Sequence, residues 1–181
     1  LPSVTIVGIG IDVMAAVTDT LLEDIEVLPG EDGAGVDEMV LAIDIKAGCS
    51  RTVIVRPRIR QHASATGVAA GVKLTGASDD VAIIGPGYIE ALGAAAVAPI
   101  NGDTTLSTHV RIEDMVLVSD TKAGIVLLTG TTGVIRNVDI FSNLATIAAA
   151  TVADGMAHFR VRYVEVGNES DAIVKTASID D

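Results

Sequence analysis

Leu127-Leu128-Thr129-Gly130-Thr131-Thr132-Gly133-Val134-Ile135-Arg136-Asn137-Val138-Asp139-Ile140 states the plan on which the chain is built. A short apolar strand leads into a Gly-marked turn. An aliphatic residue follows, then two polar residues, an aliphatic, a spacer and another aliphatic. Leu74-Thr75-Gly76-Ala77-Ser78-Asp79-Asp80-Val81-Ala82-Ile83-Ile84 repeats the first half of that plan. Self-similarity at a period of a few tens of residues is the signature of a repeat architecture.

Working outward, aliphatic residues at positions 0, +3 and +5 recur as Leu22, Ile25 and Val27; Ile54, Pro57 and Ile59; Ile84, Gly87 and Ile89; Ile112, Met115 and Leu117; Ile135, Val138 and Ile140; and Val161, Val164 and Val166. Pro57 and Gly87 are the two departures, both at +3. The anchors lie 32, 30, 28, 23 and 26 residues apart. Helical repeats hold their length, whereas stacked strands tolerate loops of varying size at their corners, so the drift favours strands. Inward side chains of a strand recur every two residues, and an interval of three therefore demands a corner or bulge. The corner positions hold Glu23-Asp24, Val55-Arg56, Gly85-Pro86, Glu113-Asp114, Arg136-Asn137 and Arg162-Tyr163, four of which contain an Asn, Asp or Gly that takes turn geometry cheaply.

Second strands are expected at Met39 to Ile45, Gly71 to Leu74, Gly124 to Leu128 and Ala172 to Lys175, and a strand, turn, strand over Ser3 to Val13. Glu31 to Glu38, Gln61 to Ala70 and Ala98 to Thr108 are long connections, which on a solenoid gather on one face. The Ala-rich stretches Ala91 to Ala98 and Ile147 to Ala153 fit narrow rungs better than helical caps. The fold class that follows is all-β, a parallel β-helix of roughly six to seven rungs spaced about 4.8 Å apart. A single domain over residues 1–181 is expected, with capping segments at 1–20 and 167–181.

Composition narrows the function. The core must be aliphatic, because 49% of residues are hydrophobic and only 2% aromatic, with no Trp. The platforms that stack on sugars or bases are scarce. A net charge of −12 opposes nucleic acid and anionic membrane surfaces. No apolar run reaches the roughly 18 residues of a membrane span, so no membrane insertion is expected. Cys49 stands alone and excludes an intrachain disulfide framework. Because the sequence opens at Leu1-Pro2, a processed chain or a piece of a longer one is expected.

Motifs for cofactors fail on spacing. Gly8 and Gly10 lack the third glycine of a dinucleotide fingerprint, the position being Val13. Thr129 to Gly133 has no following Lys-Ser or Lys-Thr, and Asp32 and its neighbours lack the alternating ligands of a calcium loop. His62, His109 and His158 have no partner at metal-ligand spacing. No cofactor and no metal are expected. Stacking the six units would place Glu26, Arg58, Tyr88, Val116, Asp139 and Glu165 in one outward column at position +4, with Asp114 near Asp139. Asp114, Asp139 and Glu165 are the candidate catalytic acids, since glycoside cleavage needs carboxylates about 5 to 10 Å apart. A solvated charged face accounts for the same column.

Asp80-Val81-Ala82-Ile83-Ile84-Gly85-Pro86-Gly87-Tyr88-Ile89 and Val134 to Ile140 resemble rungs of the right-handed parallel β-helix of the pectate-lyase-like superfamily, which includes bacteriophage tailspikes and other virion proteins. The resemblance runs from about Ser3 to Val166 and is a pattern of fold rather than of chemistry. Its enzymes carry catalytic clusters, and neither an Asp-Asp pair beside a Gly-His-Gly stretch nor acids with paired Arg on one strand occurs here. The resemblance therefore implies a non-catalytic structural or attachment protein of a phage-like virion, a tail spike, fibre or capsid decoration. With a mean hydropathy of +0.52, apolar surface should be hidden by self-assembly, and a homotrimer is expected. Other virion proteins and a cell-surface glycan are the further partners it implies. The alternative is a polysaccharide lyase or glycosidase module using Asp114, Asp139 and Glu165. A third reading is an adhesin-like fragment of a secreted or bacterial cell-surface protein, in place of a virion location.

Overall fold

A computed structural model describes residues 8–27, 39–60, 70–91, 98–102, 106–119, 124–127, 131–142 and 150–152. The first repeat forms β1 (Gly8–Val13), β2 (Thr18–Glu23) and β3 (Glu26–Val27); the second forms β4 (Met39–Ile45), β5 (Ser50–Val55) and β6 (Arg58–Ile59). Then come β7 (Ala70–Leu74) with β8 (Asp79–Ala91), β9 (Ile100–Gly102) with β10 (Val110–Ser119), β11 (Ile125–Leu127) with β12 (Gly133–Ser142), and β13 (Ala150–Val152). Among the described residues there is no helix, and the chain is all-β.

Every pairing is parallel, and the chain alternates between two sheets. One has the order β1-β4-β7-β9-β11-β13; the other runs β12-β10-β8-β5-β2, with β3 on β6 and β6 on β8. Parallel neighbours cannot be joined by a hairpin and need a crossover. Here the crossover out of one sheet contains a strand of the other, so each repeat adds a strand to both.

The aliphatic spacing becomes columns of like residues. Leu22, Ile54, Ile83, Ile112 and Ile135 stand in register across the second sheet, as do Val27, Ile59, Ile89, Leu117 and Ile140. Facing them from the first sheet are Ile11, Ile43, Val72, Ile100 and Ile125. Ile43, Ile54, Ile83, Ile112 and Ile135 are fully buried. Each such side chain contributes about 1.5–3 kcal/mol by leaving water, and the β-branched shape suits a pleated surface.

At the corners the backbone takes the left-handed conformation at Asp24, Arg56, Asp114 and Asn137, with φ between 51° and 56°. These are the +2 positions at which the spacing demands a corner. Asp and Asn occupy that region readily; Arg56 does so while holding Asp24 and Glu23 on the neighbouring strand at 2.7 Å each. A second left-handed line, Asp19, Arg51, Asp80 and His109, marks the start of the same strands and was not foreseen from sequence.

Register corrects one expectation. The anchor of the third repeat is Ile83 rather than Ile84, which aligns with Glu113 and Val55 and faces outward. An extra residue is the cause: Gly85 and Pro86 together oppose Asp114 alone, a bulge of two against one. Of the strand, turn, strand expected over Ser3 to Val13, residues 8–13 form the one strand β1, with a register irregularity between Gly8 and Ile9, and the residues before Gly8 lie outside the described ones. Residues 8–20, within one expected cap, carry β1 and the start of β2. Residues 167–181, Glu31 to Glu38 and the units at Val161 and Ala172 lie outside the described residues, as does most of Gln61 to Ala70.

Two substitutions test the stack. A Cβ on Gly85 would lie 1.6 Å from the Asp114 carbonyl oxygen, so Gly85→Ala is expected to destabilise by at least about 2 kcal/mol. Ile112→Ala in the central column is expected to cost about 2–5 kcal/mol in chemical denaturation, and a loss below about 1 kcal/mol would contradict a packed column.

Candidate functional site

The outward column anticipated at position +4 is real for the described repeats: Glu26 aligns with Arg58, Arg58 with Tyr88, Tyr88 with Val116, and Val116 with Asp139. One end of it is concave. A hollow of about 270 Å³ is lined by Glu26, Arg58, Arg60 and Tyr88. The Arg60 guanidinium sits 5.7 Å from the centre of the Tyr88 ring, within reach of its negative face. The Tyr88 hydroxyl donates to Glu90, two residues along the same face. Burial of the phenol raises its pKa to about 12; the Glu90 carboxylate adds to the rise and Arg60 opposes it. The hydroxyl is thus a fixed donor, unsuited to proton transfer near neutrality. Arg60 and Glu90 were missed from sequence, although a residue two beyond +4 must share its face.

Asp114 and Asp139, the two candidate acids among the described residues, lie on adjacent strands two residues out of register. Asp114 accepts a hydrogen bond from Asn137 Nδ2 at 2.9 Å across the strand pair. Asp139 lies two residues beyond Asn137 with Val116 as its lateral neighbour. Glu165 lies outside the described residues.

Elsewhere the surface is organised by ion pairs that cross from strand to strand. Arg51 Nη2 holds Asp19 at 2.7 Å, and Arg136 Nη2 holds Glu113 at 2.6 Å. Burial alone would raise the Glu113 carboxyl pKa, yet the bonds from Arg136 and Arg111 outweigh it, and the net shift is downward. On the first sheet Asp44 is only 2% exposed and accepts bonds from Lys46 Nζ and the Thr75 hydroxyl, with Asp12 at 3.8 Å from the same ammonium. Cys49 is buried, its Sγ 3.2 Å from the Met14 carbonyl oxygen, which keeps the thiol away from reagents.

Of the three histidines only His109 is described; His62 and His158 lie outside. Among the described residues no three His, Cys, Asp or Glu are placed to hold a metal ion, and no helix is long and apolar enough to cross a membrane. His109 Nδ1 lies 2.9 Å from Asp79 Oδ1, which also accepts from the Thr108 hydroxyl. The hydrogen bond to Asp79 raises the His109 pKa above its ordinary 6.5, and the bonds from Thr108 and His109 lower Asp79 below 3.8.

A pH dependence follows. With its folded pKa raised, His109 contributes stability that is complete below about pH 6.5 and is lost as pH rises through the raised value. Asp79, being lowered, contributes above about pH 3.8 and is lost as pH falls through its folded value. In Asp79→Asn the His109 ring is expected to titrate at lower pH in an NMR titration; an unchanged midpoint would show that the pair does not form. Compared with known proteins, the chain matches no family model, no curated protein and no solved structure.

Proposed function

We propose that this chain is a non-catalytic structural or attachment component of a phage-like particle, a right-handed parallel β-helix that assembles as a homo-oligomer through the outer face of its second sheet. Right-handedness is expected because parallel strands of one sheet joined by a crossover take that hand in about 98% of cases. The phage-like setting is carried by the resemblance of the repeat to tailspike and virion β-helices.

Self-assembly is supported by one observation above the others. On the outward side of β2, β5 and β8, where solvent would favour polar residues, stand Leu21 and Val53 in one register column and Val55 and Ile84 in the next. Leu21 is 61% exposed, and Met14 and Val17, on the connection into β2, are exposed as well. Ion pairs frame this aliphatic patch: Asp19 with Arg51 at one corner, Glu23 and Asp24 with Arg56 at the other, and Arg111, Glu113 and Arg136 on the next strands. An apolar centre with a charged rim is the composition of a protein contact, and covering it hides surface that would otherwise promote uncontrolled association.

The test is the native mass by light scattering. A trimer at micromolar concentration is expected, and Leu21→Glu, which places a charge on an exposed side chain without disturbing the core, is expected to yield a monomer with an unchanged circular dichroism spectrum. A monomeric parent chain would overturn the reading.

A further inference from the structure

Charge is sorted between the first two repeats. Residues 8–27 carry five acids, Asp12, Asp19, Glu23, Asp24 and Glu26, and no basic residue, whereas residues 39–60 carry Lys46, Arg51, Arg56, Arg58 and Arg60 against Asp44 alone. Each acid of the first repeat faces a base on the second. Arg51 Nη2 holds Asp19 at 2.7 Å, Arg56 holds Asp24 through Nε and Glu23 through Nη2 at 2.7 Å each, Lys46 Nζ lies 3.8 Å from Asp12, and Glu26 is in register with Arg58. The arginine pairs are exposed, so salt screens them.

The apolar contact beneath these pairs is weaker than in the rest of the stack. Ile11, Leu22 and Val27 are partly buried, where their column neighbours Ile43, Ile54 and Ile59 are fully buried. Thr20 and Thr52 stand in register, and the hydroxyl of each is buried without a hydrogen-bond partner, at an inward position that the next strand fills with Val81. A buried hydroxyl left unpaired costs free energy that exposure to water returns.

We propose that the first repeat, β1 to β3, is a charge-held latch that undocks as a unit from β4, β5 and β6 while the later repeats stay folded, and that ionic strength sets how often it opens. In a stack each repeat is held by its neighbours, so an end repeat is released by breaking one interface. Opening solvates Thr20 and Thr52, frees the edges of β4 and β5, and leaves Arg51 and Arg56 without their carboxylates. The uncovered edge is complementary in charge to the acid-bearing strand that left it, which favours reclosure. Leu21 travels with this repeat, so the aliphatic patch on the second sheet is complete when the latch is closed.

Hydrogen exchange of the full chain, read by mass spectrometry on peptides from β2 and β10, tests it. Between about 0.05 and 0.5 M sodium chloride, exchange in β2 is expected to quicken about tenfold while exchange in β10 changes less than about twofold. Arg51→Gln with Arg56→Gln should give the same acceleration at low salt and abolish the response to salt. Arg136→Gln, which breaks a pair between the fourth and fifth repeats, should leave β2 unchanged. Thr52→Val, which removes one orphaned hydroxyl, is expected to slow β2 exchange several-fold. Exchange in β2 that tracks β10 at every salt concentration would show that the stack opens as a whole. Faster exchange in β2 that is indifferent to salt and to the arginine pair would be simple fraying of an end. Light scattering at the same salt concentrations separates opening from dissociation of an assembly, and acceleration that appears only as the mass falls would assign it to dissociation. Any of these three results overturns the latch.

Discussion

Parallel, in-register pairing of each strand with its equivalent in the next repeat is the constraint from which the rest of this structure follows. Because side chains on adjacent parallel strands stand about 4.8 Å apart, whatever occupies a position in one repeat touches the same position in the next. Isoleucine upon isoleucine forms the core, from Ile54 through Ile83 and Ile112 to Ile135. A slip of one residue would turn every such side chain to solvent and every outward charge to the core, so register is strongly specified. The same rule builds the surface: Asp19 meets Arg51, Asp24 meets Arg56, and Glu113 meets Arg136 because each pair shares a column or borders it.

Corners set where the columns can stand. Two lines of left-handed residues, each present in four of the five described repeats, bend the chain at fixed points, and the cost of that conformation falls on Asp and Asn where it is small and on Arg51, Arg56 and His109 where ion pairs or hydrogen bonds accompany it. At Gly85 the backbone of the next repeat approaches so closely that no side chain fits. The bulge there admits one extra residue and still returns Gly87 and Ile89 to their columns opposite Met115 and Leu117. Variation in repeat length is therefore absorbed at corners and in connections without disturbing the core.

Much of this was legible in the residues. The spacing of aliphatics identified the inward columns because burial acts on side chains one at a time, and it identified the outward +4 column because period two fixes the opposite face. Ile84 was misread because Ile83 and Ile84 are equally aliphatic, and only pairing with Ile112 and Glu113 separates them. The second left-handed line left little trace, since Asp19 and Asp80 alternate with Arg51 and His109 and no apolar spacing marks the position. Of the hollow, Glu26, Arg58 and Tyr88 were aligned from sequence, whereas the stacking of Arg60 on Tyr88 and the bond from Tyr88 to Glu90 are tertiary facts that no spacing states.

Register is also the most direct point of test. In a Cys49→Ser background, cysteines at Val116 and Asp139 occupy laterally paired positions on the outer face, with Cα atoms at the separation a disulfide requires. Oxidation of that pair is expected to close the bridge within one chain, read as a mobility shift reversed by reductant, while cysteines at Val118 and Asp139, offset by two residues, remain free. Equal crosslinking of both pairs, or of the offset pair alone, would contradict the in-register parallel stack.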